Sequence, residues 1–129
     1  GVTKITGSGT GTARATLTAA SNTEVRFLTI ENTGTFDAIG VYSNDASPGL
    51  AHVTVSSPGS SEPWSAVYYE GTTAAPFIRD SILIGGSYSV LNAGSSTAKI
   101  VNTMLVGASA GGSSLCFGTY DANLAAVGC

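Results

Sequence analysis

Hydrophobic and polar residues alternate along short runs through most of the chain. In the run TARATLT at 12–18, alanine and leucine alternate with arginine and threonine. Turn sequences such as SPG at 47–49 and at 57–59 separate these runs. Alternation with a period of two, broken by turns every ~8–12 residues, favours a mainly β fold built as an antiparallel β-sandwich or a barrel. The pattern predicts strands at 12–18, 24–32, 38–43, 51–56, 64–70, 77–84, 87–92 and 97–106.

The two ends of the chain differ in character from the strand runs. The glycine-rich opening, 1–12, predicts an edge strand or an N-terminal arm. Residues 121–127 predict one or two helical turns after Asp121, although helix-forming residues are otherwise sparse. We find no internal repeat in the sequence. The 129 residues therefore predict a single β-rich domain, 1–129.

Composition indicates a folded protein with little charge. Charged residues make up 10% of the chain and hydrophobic residues 43%, the opposite of a disordered composition. The net charge is −3. A nucleic-acid-binding protein needs several cations on one face, and here the five cations are scattered along the sequence. We expect no nucleic-acid partner from Lys4, Arg14, Arg26, Arg79 and Lys99.

Motifs for catalysis, cofactors and metals are missing from the sequence. The single histidine, His52, lies in a predicted strand, and no GxSxG motif accompanies it. One histidine and two cysteines give no zinc-like spacing. The stretch GSGTGTA at 7–13 lacks the spacing and the lysine of a phosphate-binding loop. We therefore predict no enzyme, no cofactor and no metal site.

Aromatic and charged residues suggest two kinds of surface. Trp64 and Tyr68 share one face of a predicted strand and could stack on a sugar ring, although such residues mostly pack cores or subunit contacts. Arg26 shares a strand face with Glu24, and Arg79 stands in an otherwise apolar run. Such charges either lie on a solvated strand edge or pair with a partner chain.

Both cysteines, Cys116 and Cys129, lie at the end of the chain. A disulfide between them closes a loop, 116–129, and stabilises the fold by roughly 3 kcal/mol in the chain-entropy model. Two free thiols are the alternative. Disulfides persist in oxidising compartments, and the start at Gly1 fits cleavage after export. We expect an extracellular or cell-surface protein exported through the periplasm.

A β-rich exported domain with a cysteine-bounded C-terminal loop, CFGTYDANLAAVGC, resembles the globular head of type IV pilins. This resemblance implies a pilin-like β-sheet head, a disulfide-closed loop and a role in an extracellular pilus-like filament. The chain departs from the family because it opens GVTKITGSGTGT, without the long hydrophobic helix. The helix was either removed or lies on a separate chain, as in split pilins.

The pilin-like hypothesis is a non-enzymatic structural subunit that packs on a short hydrophobic helical pilin chain and on copies of itself. Contact with the membrane is then only indirect, through the partner. A virion or surface-attachment β-sandwich protein and a carbohydrate-binding module are the alternatives. We predict partner contacts at Lys4, Arg14, Arg26, Arg79, Phe117 and Tyr120.

Overall fold

The chain winds into a parallel β-solenoid of five coils. A computed structural model describes residues 2–9, 14–59, 65–73, 75–95, 97–107 and 111–129. Each coil contributes one strand to each of three five-stranded sheets, and all strand pairs within the sheets are parallel. The predicted antiparallel sandwich and the pilin-like sheet head are therefore wrong. Alternation reports that one strand face is buried, and it carries no information on the direction of pairing.

The strands follow one another around the three sheets in turn. The first sheet contains β1 (Thr3–Gly7), β4 (Leu28–Asn32), β7 (Thr54–Ser57), β10 (Ile82–Gly85) and β13 (Met104–Val106). The second sheet contains β2 (Ala15–Thr18), β5 (Ile39–Asn44), β8 (Ser65–Glu70), β11 (Tyr88–Asn92) and β14 (Gly111–Gly112). The third sheet contains β3 (Glu24–Arg26), β6 (Gly49–Ala51), β9 (Phe77–Arg79), β12 (Ala98–Val101) and β15 (Ser114–Phe117).

The coils form a structural repeat of uneven length, which the sequence pattern did not reveal. Thr54 pairs with Ile82, 28 positions later, whereas Ile82 pairs with Met104, 22 positions later. In the third sheet, Lys99 pairs with Leu115 after only 16 positions. Because the coil length changes from one coil to the next, the repeat leaves no constant period in the sequence.

Corners between the third and the first sheet break several predicted strands in two. Phe27, His52, Asp80 and Asn102 occupy successive corners, and each has a positive φ between 46° and 55°. Left-handed backbone at one residue ends one strand and starts the next in a new direction. The predicted strands 24–32, 77–84 and 97–106 each span such a corner and divide there.

The core consists of like residues stacked from coil to coil. On the first sheet, the inward ladder joins Ile30 and Val55 to the leucines that follow them in register, Leu83 and Leu105. On the second and third sheets, the inward ladders contain Val41, Val67, Val90, Leu50, Ile78 and Ile100, all fully buried. Burying these branched side chains supplies most of the driving force for folding.

The last residues of the chain fold over the C-terminal end of the solenoid. The predicted disulfide is present, with 5.5 Å between the Cα atoms of Cys116 and Cys129. Val127 packs against the core, and its N–H donates to the Thr119 carbonyl at 3.0 Å. The predicted helical turn is not formed at 121–127. An antiparallel bridge joins Tyr120 to Ala126 instead.

The first strand lies at the opposite end of the solenoid. Residues 3–7 of the predicted arm form β1, which pairs on one side with β4. Thr3, Lys4, Ile5 and Thr6 are exposed. Residues 10–12, the end of the predicted arm, lie outside the described residues. The sequence left open whether this stretch is an edge strand or an arm. In its described part, it is an edge strand.

Candidate functional site

The outer face of the third sheet carries two ladders of side chains, which are exposed or half-buried except at buried Ala51. One ladder places Glu24, Gly49, Phe77, Lys99 and Leu115 side by side, in register across the five strands. The other ladder places Arg26, Ala51, Arg79, Val101 and Phe117 side by side. Neighbouring strands lie about 4.8 Å apart, so the five strands span about 19 Å along the solenoid. We call this surface the third-sheet face.

Large apolar side chains are exposed toward the C-terminal end of the third-sheet face. Phe77 is 42% exposed, Leu115 62% and Phe117 77%. Half-buried Val101 lies in register between the strands that carry Phe77 and Phe117. Parallel pairing places Val101 beside Phe117 in one ladder, whereas Lys99 lies between Phe77 and Leu115 in the other.

Charged side chains occupy the N-terminal part of the third-sheet face. Arg26 donates a hydrogen bond to Glu24, and this bond holds the pKa of the Glu24 carboxyl below its usual value. Glu24 also lies 3.6 Å from the Arg79 guanidinium, which in turn donates to Asp80 at 3.1 Å. Among the described residues, Lys99 has no ion pair. The network therefore leaves one cation of the face uncompensated.

The corner residues extend this surface along one edge. The Phe27 ring stacks on the His52 ring with 5.1 Å between centroids and 1° between planes. His52 Nε2 lies 4.0 Å from Asp80 Oδ2, and the Asn102 side chain donates to Asp80 at 3.5 Å. The single histidine thus belongs to an exposed stack next to the third-sheet face.

The third-sheet face and the corner at His52 form an open, partly charged surface. The distance of 4.0 Å between His52 and Asp80 exceeds a hydrogen bond, so it gives no oriented acid–base pair. One cavity of about 450 Å³ is lined by residues 31–35, 58 and 59, and another of about 180 Å³ lies on the second sheet. None of the residues that line these two cavities belongs to the third-sheet face.

The structure gathers half of the predicted partner contacts on the third-sheet face. Arg26, Arg79 and Phe117 lie on it. Lys4 lies on the first sheet, where its ammonium pairs with Glu31 at 2.8 Å, and Arg14 precedes β2 of the second sheet. Tyr120 lies in the C-terminal segment, bridged to Met104.

The predicted sugar platform is described only in part. Trp64 lies outside the described residues, so its relation to Tyr68 is not described. Tyr68 itself is in register with Tyr42 on the second sheet, with 5.8 Å between the ring centroids. The aromatic neighbour of Tyr68 is thus Tyr42, on another strand. A search for aromatic pairs within one strand could not find it.

Sequence analysis missed three residues of the third-sheet face: Phe77, Lys99 and Leu115. Phe77 and Lys99 are 22 positions apart, and Lys99 and Leu115 are 16 positions apart. A search for alternating runs treats each of them within its own strand. Only the parallel register between strands shows that they are neighbours.

Within the described ranges, no group of three or more His, Cys, Asp or Glu side chains is placed to hold a metal ion. The same part of the chain contains no helix long and apolar enough to cross a membrane. Comparison with protein-family models, with curated proteins and with solved structures finds no significant match. The argument for function therefore rests on the residues of this chain alone.

Proposed function

We propose that the chain is a non-enzymatic structural domain of an extracellular assembly, and that it packs against a protein partner through the third-sheet face. The observation that carries this proposal is the exposure of Phe77, Leu115 and Phe117 on one sheet face, with Lys99 between Phe77 and Leu115 and a row of charges beside them. Large apolar side chains that gather on one exposed face, rimmed by polar residues, often mark a site of contact with another protein.

The shape of the third-sheet face favours a protein partner. A sheet surface is flat, so a helix or a second sheet can cover several strands at once. The apolar residues lie on three successive strands of the third sheet, so one covering element can reach all of them. Burying Leu115 and Phe117 under a partner would remove apolar area that the isolated chain leaves in water.

Charge on the third-sheet face defines the chemistry of that partner. The face carries Arg26, Arg79 and Lys99, which are three of the five cations in a chain of net charge −3. Only Glu24 on the face and Asp80 at its edge offset them. A partner with an apolar stripe and acidic flanks complements this arrangement. The short hydrophobic helical chain predicted from the sequence fits if its flanks are acidic.

The disulfide supports the extracellular part of the proposal, because disulfides persist in oxidising compartments. The resemblance to pilin heads contributes less. It implied a pilin-like sheet head, and the parallel sheets of this chain form a solenoid instead. The proposal of a structural, partner-bound domain therefore rests on the third-sheet face and the disulfide.

The two lysines of the chain provide a test with an internal control. Lys99 lies in the middle of the third-sheet face, whereas Lys4 lies on the first sheet. Acetylation with an amine-reactive ester is measured by mass spectrometry, once on the isolated chain and once on the intact cells or particles that carry it. We expect the acetylation of Lys99 to fall severalfold in the intact assembly, while that of Lys4 stays nearly unchanged.

A second pair of variants tests the apolar part of the third-sheet face. Leu115→Ser combined with Phe117→Ser removes the patch, whereas Phe36→Ser alters an exposed phenylalanine, 67% exposed, outside the face. We expect the first variant to be lost from the assembly and the second to be retained, as measured by immunoblotting of the purified assembly. Equal reactivity of Lys99 in the free and assembled states, or full retention of the double variant, contradicts the proposal.

A further inference from the structure

A small cavity lies on the second sheet, and it shares no lining residue with the third-sheet face. Its volume is about 180 Å³. It lies over the pairing of β2 with β5, where Ala15 is in register with Ile39 and Thr18 with Tyr42. Arg14 completes the wall. The lining thus combines an apolar floor, one hydroxyl, one aromatic ring and one guanidinium.

The tyrosine beside the cavity is held in place by a carboxylate. Tyr42 donates its hydroxyl to Glu70, and Tyr68 donates its hydroxyl to the other Glu70 oxygen at 3.1 Å. The hydrogen bond to Glu70 and partial burial raise the pKa of Tyr42 to about 12. The two rings lie side by side with 38° between their planes. Because Glu70 holds both tyrosine hydroxyls and the two rings pack together, the Tyr42 ring has a fixed position beside the cavity.

Arg14 is the cation at the cavity, and its guanidinium has no ion pair or side-chain hydrogen bond within the described residues. Its charge acts on the nearby Tyr68 hydroxyl and opposes the rise in the pKa of that group. The Glu70 oxygens are already engaged by the tyrosines. A guanidinium with open donors beside a cavity is suited to binding a planar carboxylate with two hydrogen bonds.

We propose that this cavity binds a carboxylate-bearing sugar residue. The Arg14 guanidinium pairs with the sugar carboxylate, the Tyr42 ring contacts one face of the sugar, and the Thr18 hydroxyl exchanges hydrogen bonds with a ring hydroxyl. Ala15 and Ile39 supply the apolar contact. The site adjoins Tyr68, whose ring lies beside Tyr42, but its cation is Arg14, and none of its lining residues belongs to the third-sheet face.

Calorimetry on the whole chain tests this proposal with defined probes. The probes are oligosaccharides of galacturonate and of glucuronate, with neutral glucose oligosaccharides of the same length. We expect binding of at least one uronate series, and no measurable binding of the neutral series at the same concentration. Arg14→Gln should weaken uronate binding about tenfold or more, the change expected from loss of a charged hydrogen bond.

Matched variants separate the cavity from general charge. Arg79→Gln removes the same charge from the third-sheet face and should leave uronate binding unchanged. Arg14→Lys keeps the charge but cannot form the bidentate hydrogen bonds of a guanidinium. Its affinity for the uronate should therefore lie between those of the wild type and of Arg14→Gln. Absence of uronate binding to the wild type, or equal loss in Arg14→Gln and Arg79→Gln, overturns the proposal. Neither result affects the lysine-protection test of the third-sheet face.

Discussion

Single residues with left-handed backbone turn this chain from one sheet to the next. Phe27, His52, Asp80 and Asn102 lie one above another, and Gly118 follows with a φ of 63°. Aspartate, asparagine and histidine are the side chains that tolerate this conformation best, whereas phenylalanine is unusual there. The Phe27 ring stacks on His52, and this contact offsets part of the backbone cost.

The corner at Asp80 provides a prediction at this scale. Asp80→Ala should lower the free energy of unfolding by about 1–2 kcal/mol, because alanine pays the steric cost of a positive φ. Asp80→Asn keeps a side chain that tolerates this backbone and loses only exposed ion pairs, so it should cost less than about 1 kcal/mol. Urea denaturation followed by circular dichroism measures both. Equal losses of stability in the two variants would show that the positive φ at Asp80 does not cause the loss in Asp80→Ala.

The raised pKa of Tyr42 gives a prediction of alkaline instability. The unfolded tyrosine ionises near pH 10, whereas the folded one keeps its proton until about pH 12. Between these values the unfolded state binds fewer protons, so the free energy of unfolding falls as the pH rises. Below pH 10 the contribution is fully present. Tyr42→Phe should therefore lose less stability than the wild type from pH 10 to pH 12, as measured by denaturation at each pH. Equal losses of stability in the wild type and in Tyr42→Phe over this pH range would contradict the raised pKa of Tyr42.

At the scale of elements, the strands are short and are held together by ladders of like residues. On the third sheet, Leu50, Ile78 and Ile100 stack in register on the inner side, and all three are fully buried. On the outer side of the same strands, the residues vary in size from glycine to phenylalanine. The inner ladders therefore set the packing, while the outer ladders leave room for a contact surface.

The ladder at Ile78 is a test of this packing. Ile78→Ala should lower the free energy of unfolding by about 2–5 kcal/mol, because the neighbouring coils cannot collapse fully into the space. Ile78→Val should cost about 0.5–1.5 kcal/mol. Ile82→Ala, at a half-buried outer position of the first sheet, should cost less than Ile78→Ala. Chemical denaturation of the three variants ranks them. A cost at Ile82 as large as that at Ile78 would contradict the assignment of inner and outer faces.

At the scale of the whole molecule, the two ends of the solenoid differ. The C-terminal end is covered by the segment that follows β15, which is held by the disulfide and by hydrogen bonds between Thr119 and Val127. The Asp121 carboxylate accepts hydrogen bonds from the N–H groups of Asn123 and Ala125 and shapes the turn. Because solenoid coils contact mainly their neighbours, stability at one end depends on that local cover.

Removal of the disulfide tests the contribution of this C-terminal cover. Cys129→Ala combined with Cys116→Ala should lower the free energy of unfolding by roughly 3 kcal/mol. Hydrogen exchange should accelerate first at the Val127 and Tyr120 N–H groups, and much less in the central coils. Reduction of the wild type serves as the control, since it breaks the same bond without a change of sequence. An unchanged denaturation midpoint in both experiments would contradict this role.

The candidate site shows what could be predicted from sequence. The charged pair Glu24 and Arg26 lies within one strand, and its shared face is visible from a spacing of two. Phe77 and Lys99 become neighbours only through pairing between strands. The cavity at Arg14 likewise depends on the register of β2 with β5. Local alternation therefore finds parts of each surface, and register between distant segments completes it.

The sequence by itself determined the β character, the approximate places of most strands and the two cysteines that pair. These features depend on local alternation, on turn residues and on the small number of cysteines. Tertiary structure decided the parallel direction, the five coils and the grouping of residues on the third-sheet face. The physical reason is that Phe27, Asp80 and Asn102 turn the chain at single left-handed residues inside runs that look continuous. Each strand then pairs with a segment one coil away rather than with its neighbour in sequence.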